Sequence, residues 1–128
     1  MQVLIDTHVL IWWWGGDERL PKRLRDLLGA EETTVYVSAI VGLELAIKVR
    51  LGKLPALASS IGDYRQRVKD DGFYHLNVHE QHAVRAGLLP GAHRDPFDRV
   101  LAAQALYDRL PIVTIDREIA AFGCEVLW

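Results

Sequence analysis

Val3, Leu4 and Ile5 followed by Asp6 constrain this chain more than any other stretch. Three consecutive apolar residues are too few for a helix and are apolar on both faces, the pattern of a strand buried between two layers. A lone carboxylate ending such a strand emerges at the carboxyl edge of its sheet. In open α/β sheets that edge is where ligands bind, so function depends on which other residues the chain brings there.

Length and composition set the frame. With 128 residues, 50% of them hydrophobic and 25% charged, residues 1–128 read as a single domain able to bury about two thirds of its unfolded surface. The single cysteine, Cys124, lies in an apolar run ending at Trp128 and reads as a core residue. It excludes an intramolecular disulfide and suits a reducing compartment. There is no basic leader, and no apolar stretch is long enough to span a bilayer; a cytoplasmic protein without a membrane partner is the expectation. A net charge of −2 argues against a polyanion binder that is basic over its whole surface. Basic residues are nonetheless grouped locally, as Lys48, Arg50 and Lys53 and as Arg94 and Arg99.

Thr7 to Trp14 reads as a helix ended by Gly15 and Gly16, and a second helix starts at Pro21. Trp12, Trp13 and Trp14 cannot all face one core, because neighbouring helical positions point in different directions. At least one is expected at the surface, where it would mark a partner's docking groove. Thr33 to Val37 forms the second strand, and Ser38 caps a helix from Ala39 to Arg50. Ile40, Leu43, Ile47 and Leu51 are spaced as its inward stripe, with Glu44 inside that stripe. An ion pair with Lys48 would account for Glu44, but burying a carboxylate costs more than such a pair returns.

After a loop containing Pro55, Ile61 to Asp71 reads as a charged flanking helix and Phe73 to Val78 as the third strand. A helix from His79 to Leu89 follows, on which His79 and His82 read as solvated or hydrogen-bonded histidines; a metal there would need further ligands. Asp95 before Pro96 has the form of a helix cap followed by proline at the first position, which puts Asp98 in the first turn. Capping and the helix dipole explain both acids without any catalytic role. Pro111 to Ile115 forms the fourth strand and ends near Asp116 much as the first ended at Asp6, and Val126 to Trp128 forms a short edge strand.

A helix feeding a parallel strand runs antiparallel to it, so the start of the helix at Pro96 lies at the carboxyl edge near Asp6 and Asp116. Glu44 lies about 9 Å down its own helix, still within reach. Four acids, Asp6, Glu44, Asp98 and Asp116, thus face one crevice. Two carboxylates about 6 Å apart repel by roughly 3 kcal/mol at an effective dielectric of about 20, and the summed repulsion rivals the stability of a small domain. Protons or divalent cations must offset it. Oxygen ligands without cysteine favour Mg²⁺ or Mn²⁺, and such a site suits metal-assisted phosphodiester hydrolysis.

The opening LIDTHVLIW, the helix with ELAIKVRLGKL, the segment DPFDRVLAAQA and the late TID together resemble PIN-domain ribonucleases of the VapC toxin type. The resemblance covers essentially the whole chain. It implies a three-layer α/β/α sandwich on a central, mainly parallel sheet of four to five strands. It also implies Mg²⁺- or Mn²⁺-dependent cleavage of RNA, a homodimer and a cognate VapB-type antitoxin. By motif position Asp6, Glu44, Asp98 and Asp116 resemble the metal-holding acids, with Thr7 and Thr114 as supporting hydroxyls and Asp95 as a supporting group or only a cap. Arg94, Arg99 and Lys48 are candidate RNA phosphate contacts, with ordinary salt bridging the plainer reading for each. Two departures from the family pattern are His8 after Asp-Thr, and Val41, Gly42 and Leu43 before Glu44.

Two other classes fit parts of the pattern. A phospho-receiver domain also carries an acid after its first strand, but it needs an acidic pair there, an aspartate ending the third strand and a lysine ending a late one; Asp6 stands alone and residues 114–117 contain no lysine. A catalytically silent, partner-binding domain of the same fold would keep the acids without the reaction.

Overall fold

The computed structural model describes residues 1–128. β1 (Gln2–Ile5) is the middle strand of a five-stranded sheet that also contains β2 (Thr34–Ser38), β3 (Tyr74–Leu76), β4 (Ile112–Val113) and β5 (Val126–Leu127). Their order is β3-β2-β1-β4-β5 and every pairing is parallel. Val3, Leu4 and Ile5 are all fully buried. Since successive strand residues point to opposite faces, the sheet is covered on both sides. Seven helices supply the cover: α1 (Thr7–Gly15), α2 (Lys22–Gly29), α3 (Ala39–Arg50), α4 (Tyr64–Asp70), α5 (Glu80–Leu88), α6 (Pro96–Tyr107) and α7 (Arg117–Ala120). The expected α/β/α architecture is therefore the one observed.

The strand order fixes where a site can form. From β1 the chain moves outward through β2 to β3, then returns to the other side of β1 as β4 and β5. The boundary between β1 and β4 is thus the topological switch point, where the loops leaving adjacent strands diverge and open a crevice. Register there is set by Leu4 opposite Ile112 and Ile5 opposite Val113. Asp6 follows β1 directly, and Asp116 follows β4 after two residues.

Several elements differ from expectation. β3 is shorter than residues 73–78: its last pairing sets Leu76 opposite Ser38, where β2 ends and α3 begins, and the next carbonyl, that of Asn77, accepts from Gln104 Nε2 at 3.1 Å. The flanking helix begins as a 3₁₀ turn at Ile61–Asp63 before α4, and a second such turn, Pro55–Leu57, lies in the expected loop. Cys124 is half-buried at the margin of the core, its Sγ 3.7 Å from the Ala102 carbonyl.

None of the three tryptophans is exposed. Trp12 packs edge-on against Trp128, Trp13 lies against Phe73, and Trp14 meets Tyr64 while donating to Asp71 at 2.7 Å. Steps of about 100° along α1 aim the three rings at three different neighbours, so the triplet joins α1 to the rest of the molecule and the anticipated exposed ring is absent.

The inward face of α3 also needs correction. Its buried residues are Val41, Glu44 and Leu45, whereas Leu43 and Leu51 are 51% and 52% exposed. The helix carries apolar residues on nearly every side, so periodicity alone leaves its rotation undetermined, and the true face lies roughly one residue around from the predicted stripe. Glu44 is buried as expected, with Val41 and Leu45 as its inward companions. Leu45→Ala is therefore expected to cost about 2–5 kcal/mol, while Leu43→Ala stays within about 0.5 kcal/mol. Urea denaturation of the two variants checks this, and equal losses would contradict the observed rotation.

Candidate active site

Asp6 sits at the end of β1 as the cap of α1 and is only 4% exposed. Its Oδ1 accepts from the Val9 N–H at 2.9 Å, and its Oδ2 accepts from the Thr114 hydroxyl. Both donors are neutral, so the carboxylate has no cationic partner bonded to it. Burial accordingly raises its pKa, with Asp116 adding to the rise; the two hydrogen bonds and nearby His8 act the other way. Thr114 is fully buried and uses its hydroxyl twice, since Oγ1 also accepts from the Asp116 N–H at 3.0 Å. Asp116 in turn caps α7 through Glu118 N–H at 2.8 Å.

A second group gathers at the start of α6. Asp95 is its cap, accepting from Phe97 N–H at 2.9 Å, and Pro96 fills the first position as its fixed φ and missing N–H allow. Asp98 in the first turn accepts from His93 Nε2 at 2.8 Å, and His93 Nδ1 lies 2.8 Å from Glu118. An imidazole facing a carboxylate through each nitrogen is favoured in its doubly protonated form. The Asp98 hydrogen bond is the main cause raising the His93 pKa, and the charge of Glu118 adds to it. Burial pushes Asp98 up to about 6 against the lowering effect of His93, with Asp95 and Asp116 contributing repulsion. One ligand atom from each of His93, Asp95 and Asp98 lies within 4.8 Å of the others.

Glu44 joins the site from α3. Its Oε1 accepts from the Thr7 hydroxyl at 2.7 Å, and Lys48 Nζ pairs with Oε2 at 2.6 Å. The pairing considered for Lys48 from its spacing is therefore present. It accompanies the inward placement of Glu44 instead of replacing it.

The structure thus brings the predicted acids to one edge, but unevenly. Asp6 and Asp116 are joined through the Thr114 hydroxyl, and Asp116 is near enough to Asp98 for its charge to help raise the Asp98 pKa. Glu44 joins them through Thr7, the residue next to Asp6. Only the His93, Asp95 and Asp98 group has ligand atoms as close together as one ion requires. His93 is the residue that sequence reasoning passed over; the available signal was its place five residues ahead of Asp98, within HRDPFD. Arg94 is exposed beside the site. Arg99 is not free for a ligand: Nε donates to Ala86 O and Nη1 to His93 O, each at 2.8 Å, and Nη2 donates to Leu89 O. Its three backbone acceptors replace the phosphate contact anticipated for it.

The donor set, carboxylate oxygens with no thiolate, fits a hard divalent cation such as Mg²⁺ or Mn²⁺, with the His93 ring bonded to Asp98 in place of an ion. A nearly enclosed Asp6 bonded only by neutral donors is the observation that favours such an ion.

The titration follows from these contacts. Asp98 and Asp6 have folded pKa values above 3.8, so the folded chain holds protons that the unfolded chain has released, and their contribution to stability declines as pH rises from about 4. His93, also raised, adds stability below about 6.5 that is lost as pH climbs through its folded pKa. In the cation-free protein the Asp98 carboxyl carbon is expected to titrate near 6 by NMR. A midpoint near 3.8 would contradict the burial of this acid.

A sequence profile described as PIN domain matches residues 3–123. The fold superposes on VapBC2 from Rickettsia felis bound to a promoter DNA fragment with a TM-score of 0.73, at 16% identity over 99% of this chain and 98% of that one. It superposes on a toxin–antitoxin complex from Klebsiella pneumoniae at 0.68, with 20% identity over 98% and 96% of the two chains. For FitAcB from Neisseria gonorrhoeae the score is 0.67, with 24% identity over 100% and 97%. No curated protein sequence matches the chain. With a profile match spanning nearly its whole length and the acid-lined crevice at the switch point of its sheet, the chain belongs to the PIN domain family.

Proposed function

We propose that the chain is the toxin of a toxin–antitoxin pair and acts as a Mg²⁺- or Mn²⁺-dependent endoribonuclease. The observation that carries this reading is the meeting of Asp6, at the end of β1, and Asp116, after the end of β4, about the Thr114 hydroxyl, with Asp98 in the first turn of α6 at the same edge of the sheet. Carboxylates gathered in this way need a positive species, and RNA brings phosphates that need one too.

Asp6, Asp98 and Asp116, with Glu44, would hold the cation or cations; when bound, the ion supplies an activated water and charge stabilisation at the leaving oxygen. The remaining residues hold this set in place. Thr114 fixes the Asp6 carboxylate through its hydroxyl, Thr7 turns Glu44 toward the crevice, and Asp95 anchors the first turn that presents Asp98. Arg94, exposed next to His93 and Asp95 in the chain, is the proposed phosphate contact. Lys48 reaches phosphate only by giving up its 2.6 Å pair with Glu44.

The partner follows from fold likeness to proteins solved as toxin–antitoxin complexes, and a VapB-type antitoxin is the proposed inhibitor. A homodimer is proposed as well, supported by apolar side chains left open on α5 and at the end of α6: Val84, Leu88 and Tyr107 are 62%, 78% and 47% exposed.

Purified protein is expected to cleave structured RNA with Mn²⁺ or Mg²⁺, to stop in EDTA and to resume when the ion is returned. Removing a group that merely supports a metal ligand typically costs 10–100-fold, so Asp6→Asn or Asp98→Asn should lower cleavage by at least about 100-fold while circular dichroism shows an intact fold. A folded, metal-loaded chain with no activity on RNA would mark it instead as a partner-binding member of the family. Size-exclusion chromatography with light scattering should give twice the chain mass, and Leu88→Glu should halve it.

A further inference from the structure

Arg99 follows Asp98 in sequence, yet none of its side-chain hydrogen bonds goes to an acid. The guanidinium meets three backbone carbonyls: Ala86 and Leu89 at the end of α5, and His93 in the segment leading to α6. Phe122 lies beneath it with the charge 5.3 Å from the ring centre. Carbonyls at a helix C-terminus lack intrahelical donors and carry the negative end of the dipole, so a fixed cation suits them. The planar fork offers donors in several fixed directions at once; a lysine ammonium on its flexible stem is not pre-organised for three separate carbonyls.

The consequence concerns His93. Arg99 holds its backbone carbonyl at 2.8 Å, while Asp98, the preceding residue on the same helical turn, holds its ring at 2.8 Å. The same ring bonds to the Asp98 carboxylate through one nitrogen and faces Glu118 through the other, so it orients an acid of the site and is not itself a ligand. The backbone and the ring of His93 are thus pinned by adjacent side chains of α6.

We propose that Arg99 is a positioning residue for the Asp95 and Asp98 end of the site: by clamping residues 86–93 onto the first turn of α6 it sets where the His93 ring stands and, through the bond from that ring to Asp98, how this carboxylate is presented to a divalent cation. This rests on the hydrolytic reading above. Arg99 touches neither substrate nor ion in this role.

The test is Mn²⁺ binding to the full chain by titration calorimetry and electron paramagnetic resonance, for wild type, Arg99→Lys and Arg99→Met. Leu24→Ala, in the core on α2, serves as a control for general destabilisation. NMR of the His93 ring in cation-free protein gives a readout that needs no metal. Both Arg99 variants are expected to bind Mn²⁺ at least tenfold more weakly, with lysine failing to rescue, and to shift the His93 ring signals toward those of a solvent-exposed histidine. The control should unfold earlier and bind Mn²⁺ as wild type does. Wild-type Mn²⁺ affinity in Arg99→Lys, or a loss no larger than in Leu24→Ala, overturns the clamp. So do unmoved His93 signals in a chain whose wild type binds Mn²⁺. A wild type that binds no Mn²⁺ overturns the hydrolytic reading together with this role, so the two failures are told apart by the wild-type titration.

Discussion

The hydroxyl of Thr114 is the point on which the site depends. It donates to Asp6 across 108 residues of sequence and accepts the Asp116 N–H, so one buried group ties the exit of β1 to the exit of β4. Both strands are parallel and adjacent, which is why their ends coincide, but parallel pairing alone would leave two carboxylates free to swing apart. A fully buried hydroxyl satisfied on both sides fixes the Asp6 carboxylate directly and Asp116 through its backbone, because breaking either bond leaves a polar group unpaired where water does not reach. The crevice is therefore a product of sheet topology, and the joining of Asp6 to Asp116 within it is a product of this one side chain.

Folding must tolerate the acids before any ligand arrives, and the chain manages this locally. Asp6, Asp95 and Asp116 each accept a backbone N–H at the start of a helix, where the dipole favours negative charge. Glu44 has Lys48 and Asp98 has His93. What these arrangements leave uncompensated shows in the raised pKa values of Asp6 and Asp98, the two acids for which burial outweighs their partners. A cation entering the crevice would supply the positive charge that these partners leave unmatched.

How much of this was legible in the sequence depended on the range of the interactions. Val3 to Asp6, Ser38 and the Asp95–Pro96 pair follow local rules of strand ends and caps, and each stands where those rules put it. The face of α3 did not follow, because a helix apolar all round gains burial in more than one rotation and only its neighbours choose. The environment of His93 was out of reach for a related reason: its ring is set by Asp98 on α6 and Glu118 on α7, and its backbone by Arg99. Arg99 itself looked like a hand for phosphate because its charge is visible in a sequence while the carbonyls that occupy it are not.

Capping and catalysis are often treated as rival explanations for an acid at a helix start. Here they are compatible for a physical reason. A cap bond engages one carboxylate oxygen and fixes the side-chain rotamer; for Asp116 the other oxygen has no protein donor, and for Asp6 it is held only by a hydroxyl. A ligand-binding acid needs the same fixation, since a freely rotating carboxylate loses conformational entropy on each binding event. The short helices that start at the carboxyl edge of the sheet thus supply, through their free N–H groups, the rigidity that an acid cluster would otherwise have to obtain from the ion itself.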